Sequence, residues 1–281
     1  MHHDGKRRRR AEKGDEGIMD EKKFARDLKK ITVIAGKKVM TYFGKAEIRY
    51  TKKSFADIVT QADLASSNII IKFIKKKYPN HGIISEEEKD YQDTAEYVWI
   101  IDPLDGTRNF SRNNTNFSVM IAIFKNKKAL LSAIYNPFFK ELYFAQEGKG
   151  ALLNNKKISC SPVTDFNRSI AGFDVCVREK NLQKNAREVL KLLHAQTEFD
   201  YWITHEGCAG FTATLIANGQ RDWFCQPVYG GVWDLAAPYL VLKESGCIVT
   251  NFSGKEWSIT DTEMLAANPI LHKQLLKILN S

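Results

Sequence analysis

The sequence predicts a mixed fold, an α+β first half followed by an α/β second half, and three observations carry it. Helical apolar spacing follows Met19, short β-rich segments separated by turn residues fill the middle, and strand-like and helical segments alternate from about Ser169. The 281 residues suffice for one large domain or two smaller ones sharing a core, and 43% hydrophobic with 27% charged residues is ordinary globular composition.

Residues 1–18, MHHDGKRRRRAEKGDEGI, are charged and almost free of apolar side chains, so composition predicts a disordered basic tail. A helix is expected from Met19 to about Phe43, with Phe24, Leu28, Ile31, Ile34 and Val39 near one face. Thr60 with Asp63 three residues on resembles a capping box and opens a second helix, carried by Leu64, Ile70, Ile71 and Ile74 to the helix-ending Tyr78-Pro79-Asn80.

Ile83 with Ile84, Val98 to Ile101, Phe117 to Phe124, Leu130 to Tyr135 and Glu141 to Ala145 read as strands, divided by Asn126, Asn136-Pro137 and Gly148. They predict an antiparallel sheet packed on the first two helices. A boundary is expected near Ser161 to Asn167, dividing a unit at 19–165 from one at 166–281. The second unit reads as a strand at Ile170 to Val177, a helix at Leu182 to His194, a strand at Tyr201 to Thr204 and a small-residue helix at Gly207 to Ala217 closed by Gly219. Asp234 to Ser245, capped by Gly246, and Ile270 to Leu279 are the last helices.

Composition also excludes classes of function. No apolar run approaches the roughly 18 residues of a membrane span, the longest being FSVMIAIF at Phe117 to Phe124. Five cysteines without a CxxC pair argue against a disulfide framework and a zinc site, and with no signal peptide they point to a reducing, cytoplasmic setting. The net charge of +9 admits nucleic acid, but the lysines fall in separate groups with no alternating aromatics to stack bases. A general attraction to anionic substrates accounts for the excess.

The chemistry concentrates in VWIIDPLDGTRNF, Val98 to Phe110. Asp102 and Asp105 stand at the end of an apolar strand, with Pro103 expected to stop the ladder and Gly106 to permit a tight turn. Two carboxylates so close repel and need a cation. Glu86, Glu87 and Glu88 follow another short strand, and Asp234 heads a helix after two glycines and a tryptophan. Four acids, each at an element terminus, fit hard divalent ions with oxygen ligands, most naturally Mg²⁺.

Asp102-Pro-Leu-Asp-Gly-Thr107, with Trp99-Ile-Ile before it and Asn109-Phe110 after it, resembles the signature of the inositol monophosphatase family of Mg²⁺-dependent, lithium-sensitive phosphatases. The likeness extends to Asp57-Ile-Val-Thr-Gln-Ala-Asp63, to Glu86-Glu87 after His81-Gly-Ile-Ile-Ser, to Trp233-Asp234-Leu-Ala-Ala237 and to Leu265-Ala-Ala-Asn268. It implies a layered αβαβα sandwich, a homodimer, and hydrolysis of small phosphate monoesters with two or three Mg²⁺ ions. By the same resemblance Glu86, Asp102, Asp105, Asp234 and the carbonyl of Leu104 hold metal. Asp63 with Thr107 orients and deprotonates the attacking water. Gly106 and Thr107 offer backbone N–H groups to phosphate, and Gly207-Cys208-Ala209 meets the hydroxylated part of the substrate.

Two positions depart from the family pattern. Gln226 aligns where inositol phosphatases carry a glutamate, and Arg108 occupies the slot after Thr107 where threonine is common. An amide lacks the charge-assisted strength of a carboxylate, so the substrate expectation widens from inositol monophosphate to related sugar phosphates. A 3′-phosphonucleotide or histidinol phosphate phosphatase shares the Asp-Pro-Leu/Ile-Asp-Gly-Thr core. A regulatory RNA- or polymerase-associated role belongs to a different class of function.

Overall fold

The computed structural model of the chain describes residues 4–52, 58–173, 182–227 and 230–281, with side chains of the first helix from residue 21 and of the helix Leu182–Ala195 from residue 187. Asp57, Cys176 and the part of the expected strand past Phe173 lie outside the described residues.

Helix α1 (Asp4–Met40) buries Phe24, Leu28, Ile31, Ala35 and Val39, whose three- and four-residue spacing makes one stripe. The helix starts at Asp4, upstream of the expected start at Met19. Arg, Lys, Ala and Glu are strong helix formers, and propensity extends the backbone where no apolar face calls for it. Helix α2 (Gln61–Lys77) starts at the expected capping box, with Thr60 and Asp63 each accepting from the other's backbone region.

Both helices cover one face of a seven-stranded sheet. Its strands are β3 (Gly82–Ser85), β4 (Tyr97–Asp105), β5 (Ser118–Lys125), β6 (Lys128–Asn136), β7 (Glu141–Gln146), β8 (Gly150–Leu153) and β9 (Lys156–Ile158), adjacent in that order. Period-two alternation divides them cleanly. Trp99, Ile101, Val119, Ile121 and Ile123 face α1 and α2, whereas Val98, Ile100, Met120, Ala122 and Phe124 face the other way. The ladder is antiparallel from β4 onward, but β3 and β4 pair in parallel, so the expected wholly antiparallel sheet is corrected at that edge. A small hairpin, β1 (Ile48–Thr51) with β2 (Ile58–Thr60), precedes α2.

Beyond the second face of the sheet lie α5 (Ala209–Ala217) and α6 (Trp233–Glu244). They also cover a five-stranded sheet ordered β11 (Trp202–Thr204), β10 (Ile170–Phe173), β12 (Trp223–Pro227), β14 (Glu263–Ala267) and β13 (Ile248–Thr250). Its outer face carries α4 (Leu182–Ala195) and α7 (Pro269–Leu279), through Leu192, Leu271, Leu275 and Leu279 packed on Ala171, Trp223 and Leu265. The sequence is therefore helix, sheet, helix, sheet, helix, an αβαβα sandwich. The second sheet is mixed: β11, β10 and β12 run parallel, while β14 runs antiparallel to both β12 and β13. The chain crosses from one sheet to the other between Ile158 and Ile170.

Candidate active site

Strand β4 does not stop at Pro103, as the sequence reading expects, but runs on to Asp105 through an irregularity in its pairing with β5. Asp102 opposes Met120 and Asp105 opposes Ser118, so three steps on β4 match two on β5. One extra residue makes a β-bulge, and proline is tolerated in one because the bulge already breaks the ladder. The consequence is geometric. Three residues apart on a regular strand, Asp102 and Asp105 would face opposite sides; the bulge turns both toward α5 and α6, as their partners Met120 and Ser118 face. Leu104, between them, buries its side chain against α1 and α2.

Each acid is fixed by its neighbours. Asp102 Oδ1 accepts from the N–H of Leu104 at 3.0 Å. Asp105 Oδ2 accepts from the N–H of Gly210 at 2.6 Å and from the Cys208 thiol at 2.8 Å, so it sits at the positive head of α5. Asp234, in the first turn of α6, accepts from the N–H of Gly231 at 3.1 Å. A Cβ added to Gly230 would come within 2.0 Å of its carboxylate, so a larger residue there would displace Asp234 from this position. Glu86 follows β3 and pairs with Lys52 at 3.0 Å; the same ammonium meets Glu87 at 2.8 Å.

The electrostatics show that these acids share one field. Burial pushes the carboxyl groups of Asp102 and Asp234 well above the usual range, and repulsion from Glu86 and Asp105 pushes both further. Glu87 rises to about 7, by burial first and by Glu86 second. Among the described residues no three His, Cys, Asp or Glu side chains stand as a ready-made ligand cage. The donor set nevertheless fits a hard cation: it is all oxygen, mutually repelling, and Glu87 Oε2 is buried without a hydrogen-bond partner. A divalent ion would offset both burial and repulsion.

Beside this cluster, Thr107 Oγ1 lies 2.9 Å from both Asp63 Oδ1 and the Leu104 carbonyl, and its single hydrogen serves one at a time. Asp63 Oδ2 accepts from the N–H and hydroxyl of Thr60, so one carboxylate both caps α2 and reaches the site. Burial raises it to about 6 against the opposing pull of those bonds. Gly106, in the left-handed region at φ 82°, turns β4 into α3 (Thr107–Ser111). A Cβ there would meet the Asn116 carbonyl at 2.9 Å and Cys208 at 3.0 Å.

The residues expected at the substrate divide. Gly207, in the left-handed region at φ 69°, and Ala209 flank Cys208, the N-cap of α5, whose buried thiol donates to Asp105. Asn109 reaches across from α3 and donates to the carbonyl of Glu206 at 2.8 Å, tying this segment to the turn. Gln226 lies on β12 with Oε1 buried and without a hydrogen-bond partner among the described residues. Lys52 is a site neighbour that sequence reasoning misses; a lysine in a basic stretch carries no signal, and only the fold brings it to Glu86 and Glu87.

Among known proteins, the sequence model of the inositol monophosphatase family matches residues 20–281. A putative Nus factor SuhB of Neisseria meningitidis serogroup B is 33% identical over 235 residues, covering 83% of this chain and 88% of that protein. Inositol monophosphatase 1 of Solanum lycopersicum is 31% identical, over 81% of this chain and 84% of that one. Among solved structures, the extragenic suppressor protein suhB of Bartonella henselae has a TM-score of 0.82 at 26% identity, covering 91% of this chain and 98% of that one. Signature, bulged strand, five-layer sandwich and relatives agree, and the chain belongs to the inositol monophosphatase family.

Proposed function

We propose that the protein is a Mg²⁺-dependent phosphomonoesterase acting on inositol monophosphate or a related small sugar phosphate. The observation that carries the reading is the convergence of Asp102 and Asp105, set on one face by the bulge in β4, with Glu86 after β3 and Asp234 at the head of α6, close enough for their carboxylates to repel. Glu86, Asp102, Asp105, Asp234 and the Leu104 carbonyl would hold the metal. When bound, Mg²⁺ lowers the pKa of water and neutralises the charge that gathers on phosphate oxygens.

The chain's own groups do the rest. Asp63, at about 6, is ionised near neutral pH yet basic enough to accept a proton, and Thr107 Oγ1 at 2.9 Å relays to it. The water oxygen bonds to phosphorus as the P–O bond to the sugar breaks; one water proton passes through Thr107 toward Asp63, the other stays on the phosphate, and the departing alkoxide takes a proton from solvent and leaves as the alcohol. The head of α3, at Gly106 and Thr107, directs N–H groups to phosphate oxygens. Gly207, Ala209 and Gln226 would meet the sugar, with Gln226 supplying an amide in place of a charged acceptor.

The test is phosphate release from inositol 1-phosphate, fructose 1,6-bisphosphate, adenosine 3′,5′-bisphosphate and histidinol phosphate, with Mg²⁺ and with chelator. Turnover of a sugar phosphate that stops with chelator, and that Asp105→Asn and Asp234→Asn abolish while both variants stay folded, is the expected result. Unchanged hydrolysis in either variant refutes the assignment.

A second reading, regulatory association with RNA or polymerase, draws on the Nus factor relative. Binding that survives Asp102→Asn and weakens steeply with salt would favour it.

A further inference from the structure

The outermost layer of the sandwich carries an excess of exposed basic side chains. Lys22, Arg26 and Lys30 are exposed at successive four-residue steps of α1, and Lys75, Lys76 and Lys77 are exposed in the last turn of α2. The two sets belong to one surface: Lys77 Nζ bonds the buried Asp27 of α1 at 2.5 Å, and Lys23 Nζ of α1 lies 5.6 Å from the centre of the Tyr78 ring. Lysines in the last turn of α2 complement its dipole, which accounts for that set taken alone. It does not account for α1, where Lys22, Arg26 and Lys30 stand four residues apart, a like-charge spacing that destabilises a helix, and the buried Asp27 beside Arg26, 4.0 Å from its guanidinium, is shared with Lys77. The acids at the face include Asp27, buried beneath Arg26 and Lys77, Glu21, whose carboxylate accepts from Gln146 at 3.1 Å, and Asp90 and Asp93 on either side of Tyr91.

We propose that this face binds the sugar-phosphate backbone of duplex nucleic acid. Cations on α1 repeat about every 6 Å along the helix axis, and each strand of a duplex offers a phosphate about every 3.4 Å of its own axis, so every cation finds a partner. Backbone contact is favoured over base stacking because no aromatic platform alternates with the lysines. A bilayer surface is the weaker fit, since Ile34 is the sole strongly exposed apolar side chain along the described part of α1, where an interfacial helix needs an apolar face to insert. The inference stands on this chain's charge, apart from the phosphatase reading, and names the surface the second reading would use.

The experiment is fluorescence anisotropy of the full chain with a 24-base-pair RNA duplex, across 50–200 mM KCl, beside vesicles containing phosphatidylserine. Wild type should bind the duplex with a steep salt slope. Lys22→Glu, Arg26→Glu, Lys30→Glu and Lys76→Glu together should weaken binding at least tenfold and flatten the log–log slope by about 0.7–0.9 for each phosphate that is no longer neutralised. Phosphate release should stay at the wild-type rate, which also shows that the variant is folded. A variant that binds within twofold of wild type overturns the proposal, as does binding to vesicles but not to the duplex, or binding abolished by neutralising Arg7 to Arg10 with this face intact.

Discussion

At the scale of single residues, the hydroxyl of Thr107 is the link between Asp63 and the acid cluster. Thr107→Val removes it while Thr60 still donates twice to Asp63, so turnover should fall about 100-fold or more with stability nearly unchanged, as kinetics beside chemical denaturation will show. Gly106→Ala should harm both quantities. The left-handed backbone alone costs an alanine about 1–2 kcal/mol, and the clash with the Asn116 carbonyl adds to it. His272 gives a stability effect far from the chemistry. Its Nε2 lies 2.9 Å from Thr250 Oγ1, and burial pushes the imidazole down to about 4 from the usual 6.5. Between those values the unfolded chain binds a proton that the folded chain refuses, so stability is lost as pH falls from about 6.5 to about 4, by up to about 3 kcal/mol. Denaturation at pH 4.5 and 7 should show a smaller difference in His272→Gln than in wild type; an equal difference counts against this account.

At the scale of elements, two junctions place the chemistry. The bulge in β4 sets two aspartates on one face, and the approach of α5 to the sheet sets a backbone N–H against one of them. That approach requires glycine: a Cβ on Gly210 would stand 2.4 Å from both Met120 Sδ and Ser118 Oγ. Gly210→Ala should push α5 outward, cost about 1–3 kcal/mol by overpacking and lower turnover by breaking the bond to Asp105. Wild-type stability with wild-type activity in that variant would show that the helix has slack. The capping box of α2 serves twice, since the carboxylate that begins the helix also faces Thr107. Stability and site are coupled through Asp63.

At the scale of the whole molecule, the proposed ligands come from both sheets' territory: Glu86, Asp102 and Asp105 from the seven-stranded sheet, and Asp234 from the helical layer that joins it to the five-stranded one. Bound Mg²⁺ should therefore stabilise the whole sandwich. At 100 times its dissociation constant the gain is about 2.7 kcal/mol, read as a Tm increase over chelator-treated protein. Asp102→Asn should lose most of that increase, while in chelator it should melt no lower than wild type because a buried repelling charge is gone. Equal Mg²⁺ responses in the two proteins would place the ion elsewhere.

The sequence by itself determined the main helices, the alternating strands β4 to β7 and the identities of the acids, because periodicity, caps and a signature of adjacent residues are local properties of a chain. Its errors were local too. Propensity without a core carried α1 back to Asp4, and a proline read as a strand end proved to be part of a bulge. The short strands β8, β12 and β13 carry too few residues for a period to show. What only the tertiary structure decided was which side of β4 the aspartates face, that Cys208 turns its thiol to Asp105, and that Lys52 sits between Glu86 and Glu87. Each depends on pairing register or on packing between residues 34 to 103 positions apart, and such distances leave no mark in the order of neighbouring residues.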